Sequence, residues 1–311
     1  MNKYINKMSN LLLFINPISG KGNSLSVFKK VFLILKNKNI LNIHITKKET
    51  NIQSLLEKTY VEQYDLIIGI GGDGMMFQII NALHNLQLSI PIAQIPTGSG
   101  NGYFKSLTYQ TNQLNTIDTA IDIINRNNRF LKTDLLHITN NEQTLNIYSK
   151  LSISWGFISC VDIYTEWMRK LGDFRFTLGV LWNIYKKTNY KGVLEYKLYD
   201  DWYSIKSDQF IYFWACNTSH VSHDLKISPD SKIDDGLIDI SYIIGPISRC
   251  ELLYIFITIN TTKLNHPKVG RIRTKEFKLT TENGLLVVDG EQINNKQINV
   301  VNLHKASTII Y

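Results

Sequence analysis

The segment from Leu66 to Gly74 restricts the possible folds of this chain more than any other. It reads Leu-Ile-Ile-Gly-Ile-Gly-Gly-Asp-Gly, and a stretch with helical spacing follows, marked by Met76, Ile79, Ile80 and Leu83. An uninterrupted apolar run is typical of a strand buried on both faces. Where such a strand enters a helix through glycines, free main-chain amides lie beyond its carboxyl end. The segment therefore predicts a parallel sheet with an anion-binding turn at its edge.

The first 130 residues repeat this alternation of strand and helix. Three more apolar runs predict strands, at residues 11–15, 43–46 and 90–94. An amphipathic stretch after the first of them has an apolar face made of Leu25, Phe28, Phe32 and Leu35. Strands that alternate with helices form a parallel sheet covered on both faces. We therefore predict an α/β N-terminal domain over residues 1–130, with a doubly covered parallel sheet.

The pattern changes after a polar stretch at residues 125–129. Short β-rich segments then predominate, at residues 145–154, 193–199, 210–215, 237–243 and 271–280. Asn283-Gly284 predicts a type I′ hairpin between the last of these segments and residues 285–288. Helices are expected over residues 159–188 and from Ser248, with Glu251 as its capping-box partner. Residues 131–299 are therefore predicted to form a mainly antiparallel β domain with helical additions.

The composition fits two globular domains. The chain has 311 residues, of which 44% are hydrophobic, enough for substantial cores. Apolar runs fall well short of the roughly 18 residues of a membrane span, and the three cysteines are widely separated, so we expect a soluble intracellular protein with reduced thiols. The net charge of +8 suits an anionic nucleotide or an acidic membrane as readily as nucleic acid.

The glycine turn itself indicates a class of chemistry. Gly69, Gly71 and Gly74 satisfy the G-x-G-x-x-G pattern of dinucleotide-binding folds. That pattern also needs a carboxylate about 20 residues further on. After Asp73, however, the next carboxylate is Asp118. Asp73 would oppose a pyrophosphate unless Mg²⁺ bridges the charges or the carboxylate acts as a base. The turn is therefore better suited to phosphoryl transfer than to dinucleotide binding.

Two further glycine turns follow predicted strands, at residues 16–22 and 96–102. Neither has the spacing of a Walker A loop. A single glycine cluster is usually only a turn. Three at the carboxyl ends of strands of one sheet favour a shared function over chance.

These motifs resemble those of the diacylglycerol kinase catalytic fold, and within it those of the sphingosine (long-chain base) kinases. The segments similar to that family's nucleotide loops are residues 16–17, 71–74 and 98–101. The finer resemblance to sphingosine kinases lies in residues 152–163 and 169–179, and residues 235–237 and 288–291 complete it. The motifs occur in the family's order over essentially the whole chain.

The resemblance implies a kinase that uses ATP and Mg²⁺ to phosphorylate the primary hydroxyl of a sphingoid base. It also implies a β-sandwich-like lipid domain at the C-terminal end and a last strand, near residues 300–311, that returns to the first domain. Such an enzyme is expected to be cytoplasmic, to contact anionic membrane peripherally and to have no nucleic acid partner. The resemblance leaves the oligomeric state and the metal ligands open.

Each matching residue acquires an expected role from the resemblance. Asp73 would be the base that takes the proton from the lipid hydroxyl, and Asp162 would pair with the sphingoid ammonium. The residues expected to frame the phosphate and the substrate are Gly71, Gly72 and Gly74. The residues expected to contact ATP are Asn16, Thr46, Gln78, Gly98, Ser99, Gly100, Arg169, Arg175, Asp289, Gly290 and Glu291.

The chain departs from the family pattern at two positions. Gln78 stands where sphingosine kinases usually have Glu, and Cys160 replaces a frequent Asp two residues before Asp162. Three other functions stay open, namely a diacylglycerol or other lipid kinase of the same fold, a nicotinamide adenine dinucleotide kinase, and a catalytically silent lipid-binding protein. Asp73 could also be a helix cap, a common role for Asp.

Two further patterns have competing interpretations. His220 and His223 have the spacing of a metal-binding pair, but their polar neighbours favour a solvated loop. The second pattern is an apolar stripe at helical spacing, made of Leu178, Leu181, Trp182 and Tyr185. It fits ordinary core packing and a lipid-facing surface equally well.

Overall fold

The computed structural model describes residues 9–37, 39–47, 49–57, 61–126, 129–165, 167–168, 174–258 and 266–311. The chain divides into two compact units. The first runs to Thr133 and also includes Lys305–Tyr311, and the second is Asp134–His304. The boundary drawn from the sequence at residue 130 lies close to this division.

The first unit contains a parallel sheet. Its strands are β1 (Ser9–Ile15), β2 (Asn39–Ile45), β3 (Leu66–Gly71) and β4 (Ile92–Pro96). Their order is β2-β1-β3-β4, and Ile309, near the end of the chain, pairs in parallel with Ile92 of β4. Every residue of β3 is buried, which requires cover on both faces of the sheet. The predicted α/β domain with a parallel sheet is confirmed.

Helices supply that cover. They are α1 (Ser24–Leu35), α2 (Ile52–Glu57), α3 (Asp73–Asn85), α4 (Gly102–Gln110) and α5 (Ile117–Arg126), with short 3₁₀ turns at Ser19–Gly22 and Val61–Gln63. Helix α3 buries Ile79 and Ile80, as its spacing predicts. Helix α1 buries Val31 and Leu35, whereas Leu25, predicted on the same face, is exposed.

The second unit is built from antiparallel strands. They are β5 (Phe130–Thr139), which begins before the division, β6 (Asn146–Ser149), β7 (Ser152–Gly156), β8 (Tyr190–Leu198), β9 (Asp201–Cys216), β10 (Ile238–Ile244), β11 (Val269–Thr274), β12 (Glu276–Thr281), β13 (Leu286–Val288), β14 (Glu291–Ile293) and β15 (Gln297–Ile310), which ends after it. The main order is β14-β13-β7-β9-β8-β12-β15, while β10 pairs with β9 and β11, and β5 with β6. These pairs are antiparallel, as predicted.

Three helices of this unit share one apolar cluster. They are α6 (Phe157–Tyr164), α7 (Phe174–Lys186) and α8 (Arg249–Thr258), so the insertion predicted over 159–188 contains two helices. Phe157, Ile184 and Leu252, one from each helix, pack in the same cluster. The predicted capping box starts α8, because the amide of Ser248 donates to the Glu251 carboxylate (2.7 Å) and the amide of Glu251 donates to the Ser248 hydroxyl (3.1 Å). None of the helices within the described ranges is long and apolar enough to cross a membrane.

The prediction of a hairpin at Asn283-Gly284 is wrong. Strand β12 pairs with β8 and β15, whereas β13 pairs with β7 and β14. Asn283 accepts hydrogen bonds from the Trp155 indole (2.8 Å) and from the amide of Lys191 (2.7 Å). A two-residue turn of this kind occurs instead at Asp289-Gly290, which joins β13 to β14 with φ of +48° and +88°. Pairing between strands that are distant in sequence therefore has more influence on this region than the local sequence signal for a turn.

The carboxylate of Asp289 connects this turn to the start of β7. It accepts hydrogen bonds from the Ser149 hydroxyl (2.6 Å) and from the amides of Lys150 (2.9 Å), Leu151 (3.1 Å) and Ser152 (3.0 Å). Burial raises the pKa of Asp289, although these hydrogen bonds oppose the rise. The side chain of Lys150 is also enclosed, since this residue is 2% exposed. Burial lowers the pKa of Lys150 from 10.5 to about 7, against the opposing effect of the Asp289 charge.

We predict that Lys150 makes stability depend on pH. Because its folded-state pKa lies near 7 and its unfolded value near 10.5, the unfolded chain binds more protons between these values. The free energy of unfolding should therefore rise as the pH increases through this window, and Lys150→Met should flatten that rise. Urea denaturation at several pH values measures the slope. Lys206→Met, which changes an exposed lysine of the same unit, should retain the parent slope. A parental slope in Lys150→Met would contradict the prediction.

Candidate active site

Three turns meet at the carboxyl edge of the first unit's sheet. They follow β1, β3 and β4, as the sequence predicts. The amide of Asn16 donates to the carbonyl of Ile70 (3.1 Å), and the amide of Thr97 donates to the carbonyl of Gly71 (3.2 Å). A Cβ atom on Gly98 would overlap the Cα of Gly72. Glycine at position 98 is therefore required for the second and third turns to approach this closely.

Asp73 lies where these turns converge. It occupies the first turn of α3, with Gly72 at the N-cap. Its carboxylate accepts hydrogen bonds from the amides of Gly102 (2.9 Å) and Tyr103 (3.2 Å), at the start of α4. Asp73 is thus not the N-cap of its own helix. Its negative charge lies instead at the N-terminal ends of two helices, where helix dipoles favour an anion.

Glycines leave room around this carboxylate. A Cβ atom on Gly100 would lie 3.1 Å from Oδ2 of Asp73. At Gly74, by contrast, a Cβ atom would meet open space, with nothing from the described residues within 4 Å. A ligand could therefore approach the turn at Gly74 without displacing a side chain.

Asn101, for which the sequence predicted no individual role, shapes the third turn. Its side chain accepts a hydrogen bond from the amide of Gly98 (3.0 Å) and donates to the carbonyl of the same residue (2.6 Å). Asn101 is the N-cap of α4 and has a positive φ of +50°. An Asn that follows two glycines and precedes a helix is a recognisable signal for such an N-cap, because Asn tolerates a positive φ better than most residues.

Other predicted nucleotide contacts lie at or near the same edge. Thr46 follows β2 and is buried, with its amide (2.8 Å) and hydroxyl (3.1 Å) both donating to the carbonyl of Ile15. Gln78 lies on α3, one turn after Gly74, and Ser99 lies in the third turn; both are exposed. These positions are compatible with ligand contact, and their roles stay predictions.

The second unit contains the remaining predicted residues. Asp162 lies on α6, and a Cβ atom on Gly290 would lie 4.0 Å from its Oδ2. Asp162 and the turn at 289–290 are therefore neighbours, although they are far apart in sequence. Arg175 is buried at the start of α7, with its guanidinium 4.3 Å from the Phe176 ring centre. Arg169, the other arginine expected to contact ATP, lies outside the described residues.

His220 does not lie in a solvated loop, so that prediction is wrong. It is buried, and its Nδ1 lies 2.9 Å from the Ser219 hydroxyl. His223 is exposed, next to Asp224. In the part of the chain that the structure describes, no group of three or more His, Cys, Asp or Glu residues could hold a metal ion.

The apolar stripe on α7 is a surface. Leu181, Trp182 and Tyr185 are 48%, 57% and 68% exposed, and Leu178 is also exposed. The ammonium of Lys186 lies 5.1 Å from the Trp182 ring centre. Core packing, one of the two interpretations, is therefore excluded for this stripe.

Comparisons with known proteins agree with this architecture. The family described as the diacylglycerol kinase catalytic domain matches residues 10–138, and the YegS C-terminal NAD kinase beta sandwich-like domain matches residues 152–308. Sphingosine kinase 1 of Mus musculus is 24% identical over 90% of this chain and 85% of its own length. Sphingosine kinase 1 of Arabidopsis thaliana is 25% identical over 90% of this chain and 68% of its own.

A solved structure shows the same fold. A diacylglycerol kinase from Bacillus anthracis str. Sterne superposes with a TM-score of 0.70 at 19% identity, over 98% of this chain and 97% of that one. The two family matches together span both units. The chain therefore belongs to the diacylglycerol kinase catalytic-domain family, with a C-terminal domain of the YegS type.

Proposed function

We propose that this lipid kinase transfers the γ-phosphoryl group of ATP to the primary hydroxyl of a sphingoid base. The observation that carries the proposal is the place of Asp73, whose carboxylate lies among glycine turns at the carboxyl edge of a parallel sheet. Membership of a kinase family implies the use of ATP. The relatives named sphingosine kinase, at about 24% identity, support the choice of lipid.

The edge of the first unit suits the phosphates of a nucleotide. The N-terminal end of α3 directs main-chain amides toward this edge, which favours bound anions. The glycine at position 74 leaves the approach open. We propose that Asn16, Thr46 and Gln78, with the turn at 98–100, contact the nucleotide.

Phosphoryl transfer also needs positive charge. Mg²⁺ in such sites is typically held by one or two carboxylates together with substrate phosphates. When bound, the ion would neutralise charge on the transferring group. Arg175 and Arg169 are the cationic side chains that we propose to bind the phosphates.

Asp73 is proposed as the general base. As the lipid oxygen bonds to phosphorus, its hydroxyl proton passes to the Asp73 carboxylate, and the bond from the γ-phosphorus to ADP breaks. The amides of Gly102 and Tyr103 hold that carboxylate in place. Positioning of this kind provides much of the catalysis in phosphoryl transfer.

Asp162 is the residue that favours a sphingoid base over an uncharged lipid alcohol. An ammonium on the substrate gains from a carboxylate partner, and a diacylglycerol has no such charge. Asp162 is partly buried, where a charged partner contributes more than at a fully exposed site. The diacylglycerol alternative would make no use of this charge. A catalytically silent protein would have no need of the Asp73 arrangement.

Replacement of Asp73 tests the base. Asp73→Asn should lower turnover about 10² to 10⁴-fold, because the amide cannot take the proton. Stability should fall by only about 1 to 3 kcal/mol, through the loss of a charged acceptor for the α4 amides. Phosphate transfer from labelled ATP and thermal denaturation measure the two effects. Asp118→Asn, which changes an exposed carboxylate of the same unit, should retain the turnover and stability of the parent. A folded Asp73→Asn variant with parental turnover would refute the role.

Replacement of Asp162 tests the lipid. Asp162→Asn should weaken use of sphingosine by roughly 1 to 3 kcal/mol in kcat/KM and leave the KM of ATP unchanged, because only the ammonium loses its charged partner. The assay compares sphingosine, dihydrosphingosine, ceramide and diacylglycerol. Asp200→Asn, in an exposed turn of the same unit, is the matched control. An equal loss with diacylglycerol would show that Asp162 is structural.

We also propose that the exposed stripe of α7 contacts anionic membrane. Apolar and aromatic side chains would enter the bilayer surface while Lys186 and Lys187 lie against headgroups. Lys170, which is also near the stripe in sequence, lies outside the described residues. Each basic residue near the surface contributes only about 1 kcal/mol, so the contact should be transient.

Liposome flotation tests this contact. Binding should require anionic lipid and should fall with added salt, because screening acts within a Debye length of about 8 Å at physiological ionic strength. The double variant Leu181→Ser, Trp182→Ser should float less than the parent. Tyr199→Ser combined with Trp202→Ser removes exposed aromatic residues elsewhere in the same unit and should float as the parent does. Parental flotation of the α7 variant would exclude the stripe from membrane contact.

A further inference from the structure

The carboxylate of Asp289 is occupied by the protein itself. Oδ1 accepts three hydrogen bonds, from the Ser149 hydroxyl and the amides of Leu151 and Ser152, and Oδ2 accepts one from the amide of Lys150. An ionised carboxylate offers about four acceptor sites. Four protein donors therefore leave little capacity for a ligand. This arrangement differs from the nucleotide contact that the family resemblance implies for Asp289.

These hydrogen bonds fix the turn between β13 and β14. The amide of Asp289 also donates to the carbonyl of Ser152 (3.0 Å), and Val288 pairs with Ile153 of β7. Both turn residues have positive φ, a conformation that Asp and Gly tolerate. The turn is therefore held to the start of β7 by side-chain and main-chain contacts together.

The tip of the same turn lies against Asp162. A Cβ atom on Gly290 would be 4.0 Å from Oδ2 of that residue. Asp162 lies on α6, which follows β7 directly in the chain. The turn therefore contacts both the start of β7 and the helix that follows this strand. A shift of the turn would change the space beside the Asp162 carboxylate.

We infer that Asp289 is a positioning residue for the lipid headgroup. By accepting the four hydrogen bonds, its carboxylate holds Gly290 beside Asp162, and it acts through Asp162 rather than by binding the nucleotide. The inference rests on the proposed function, in which Asp162 pairs with the sphingoid ammonium. Glu291, which follows the turn, keeps the nucleotide contact that the family resemblance implies.

Asp289→Asn is the main test. Asn also suits a positive φ, so the turn can form, but its NH₂ group would face a donor instead of accepting from it. The KM of sphingosine should rise roughly 10- to 150-fold, the effect of one lost charge-assisted hydrogen bond, while the KM of ATP stays within about 2-fold. A rise in the KM of ATP with the KM of sphingosine unchanged would overturn the inference and make Asp289 a nucleotide ligand.

A double-variant cycle separates positioning from general damage. In the Asp162→Asn background, Asp289→Asn should raise the KM of sphingosine no further, since its effect passes through Asp162. Full additivity would overturn the inference. Ser149→Ala removes one donor to the same carboxylate and should raise this KM in the same direction by a smaller factor. If Asp289→Asn does not fold, Ser149→Ala becomes the deciding test of the positioning role. An unchanged KM of sphingosine in the Ser149→Ala variant would then overturn the inference.

The same variants distinguish this inference from the proposed function. If Asp162→Asn leaves the KM of sphingosine unchanged, the proposed role of Asp162 is wrong, and the positioning role falls with it. If Asp162→Asn raises that KM and Asp289→Asn does not, the lipid assignment stands and only the positioning role is wrong.

Discussion

The close approach of the main chains at Gly72 and Gly98 is the constraint on which the candidate site depends. A single methyl group on Gly98 would overlap Gly72 and force the second and third turns apart. Their proximity brings the start of α4 within hydrogen-bonding reach of Asp73, across almost thirty residues of sequence. The position of the proposed base is therefore decided by two residues that have no side chains. Glycine here contributes geometry that no other residue can provide.

Each unit uses a carboxylate that accepts main-chain amides, but the two carboxylates have different surroundings. Asp73 accepts the amides of Gly102 and Tyr103, and Gly100 lies beside its carboxylate. Asp289 accepts three amides and a hydroxyl, and desolvation raises its pKa. The same type of bond therefore joins the start of a helix to a glycine turn in the first unit and fixes a hairpin turn in the second.

The sequence was most informative where one strand and one helix carry the whole signal. The buried run of β3, its glycine turn and α3 were predictable because apolar spacing and glycine act locally. Asn283-Gly284 and Asp289-Gly290 both match the sequence signal for a two-residue hairpin turn. Only the pairing of β13 with β7 decides which of the two dipeptides forms it. Contacts between distant segments likewise determine the hydrogen bonds that the α4 amides donate to Asp73. They also determine the burial of His220 and the exposure of Leu25. A single sequence contains no direct record of such contacts.

The last strand has a consequence for the order in which the chain can fold. Residues 305–311 belong to the first unit, where Ile309 pairs with Ile92 of β4, while the second unit is continuous in sequence. During synthesis, the N-terminal residues leave the ribosome first, and domains generally fold in that order. Here this neighbour of β4 is made after all of the second unit. Until then, one edge of β4 lacks this main-chain partner, so the first unit can complete its sheet only after the whole second unit has been synthesised.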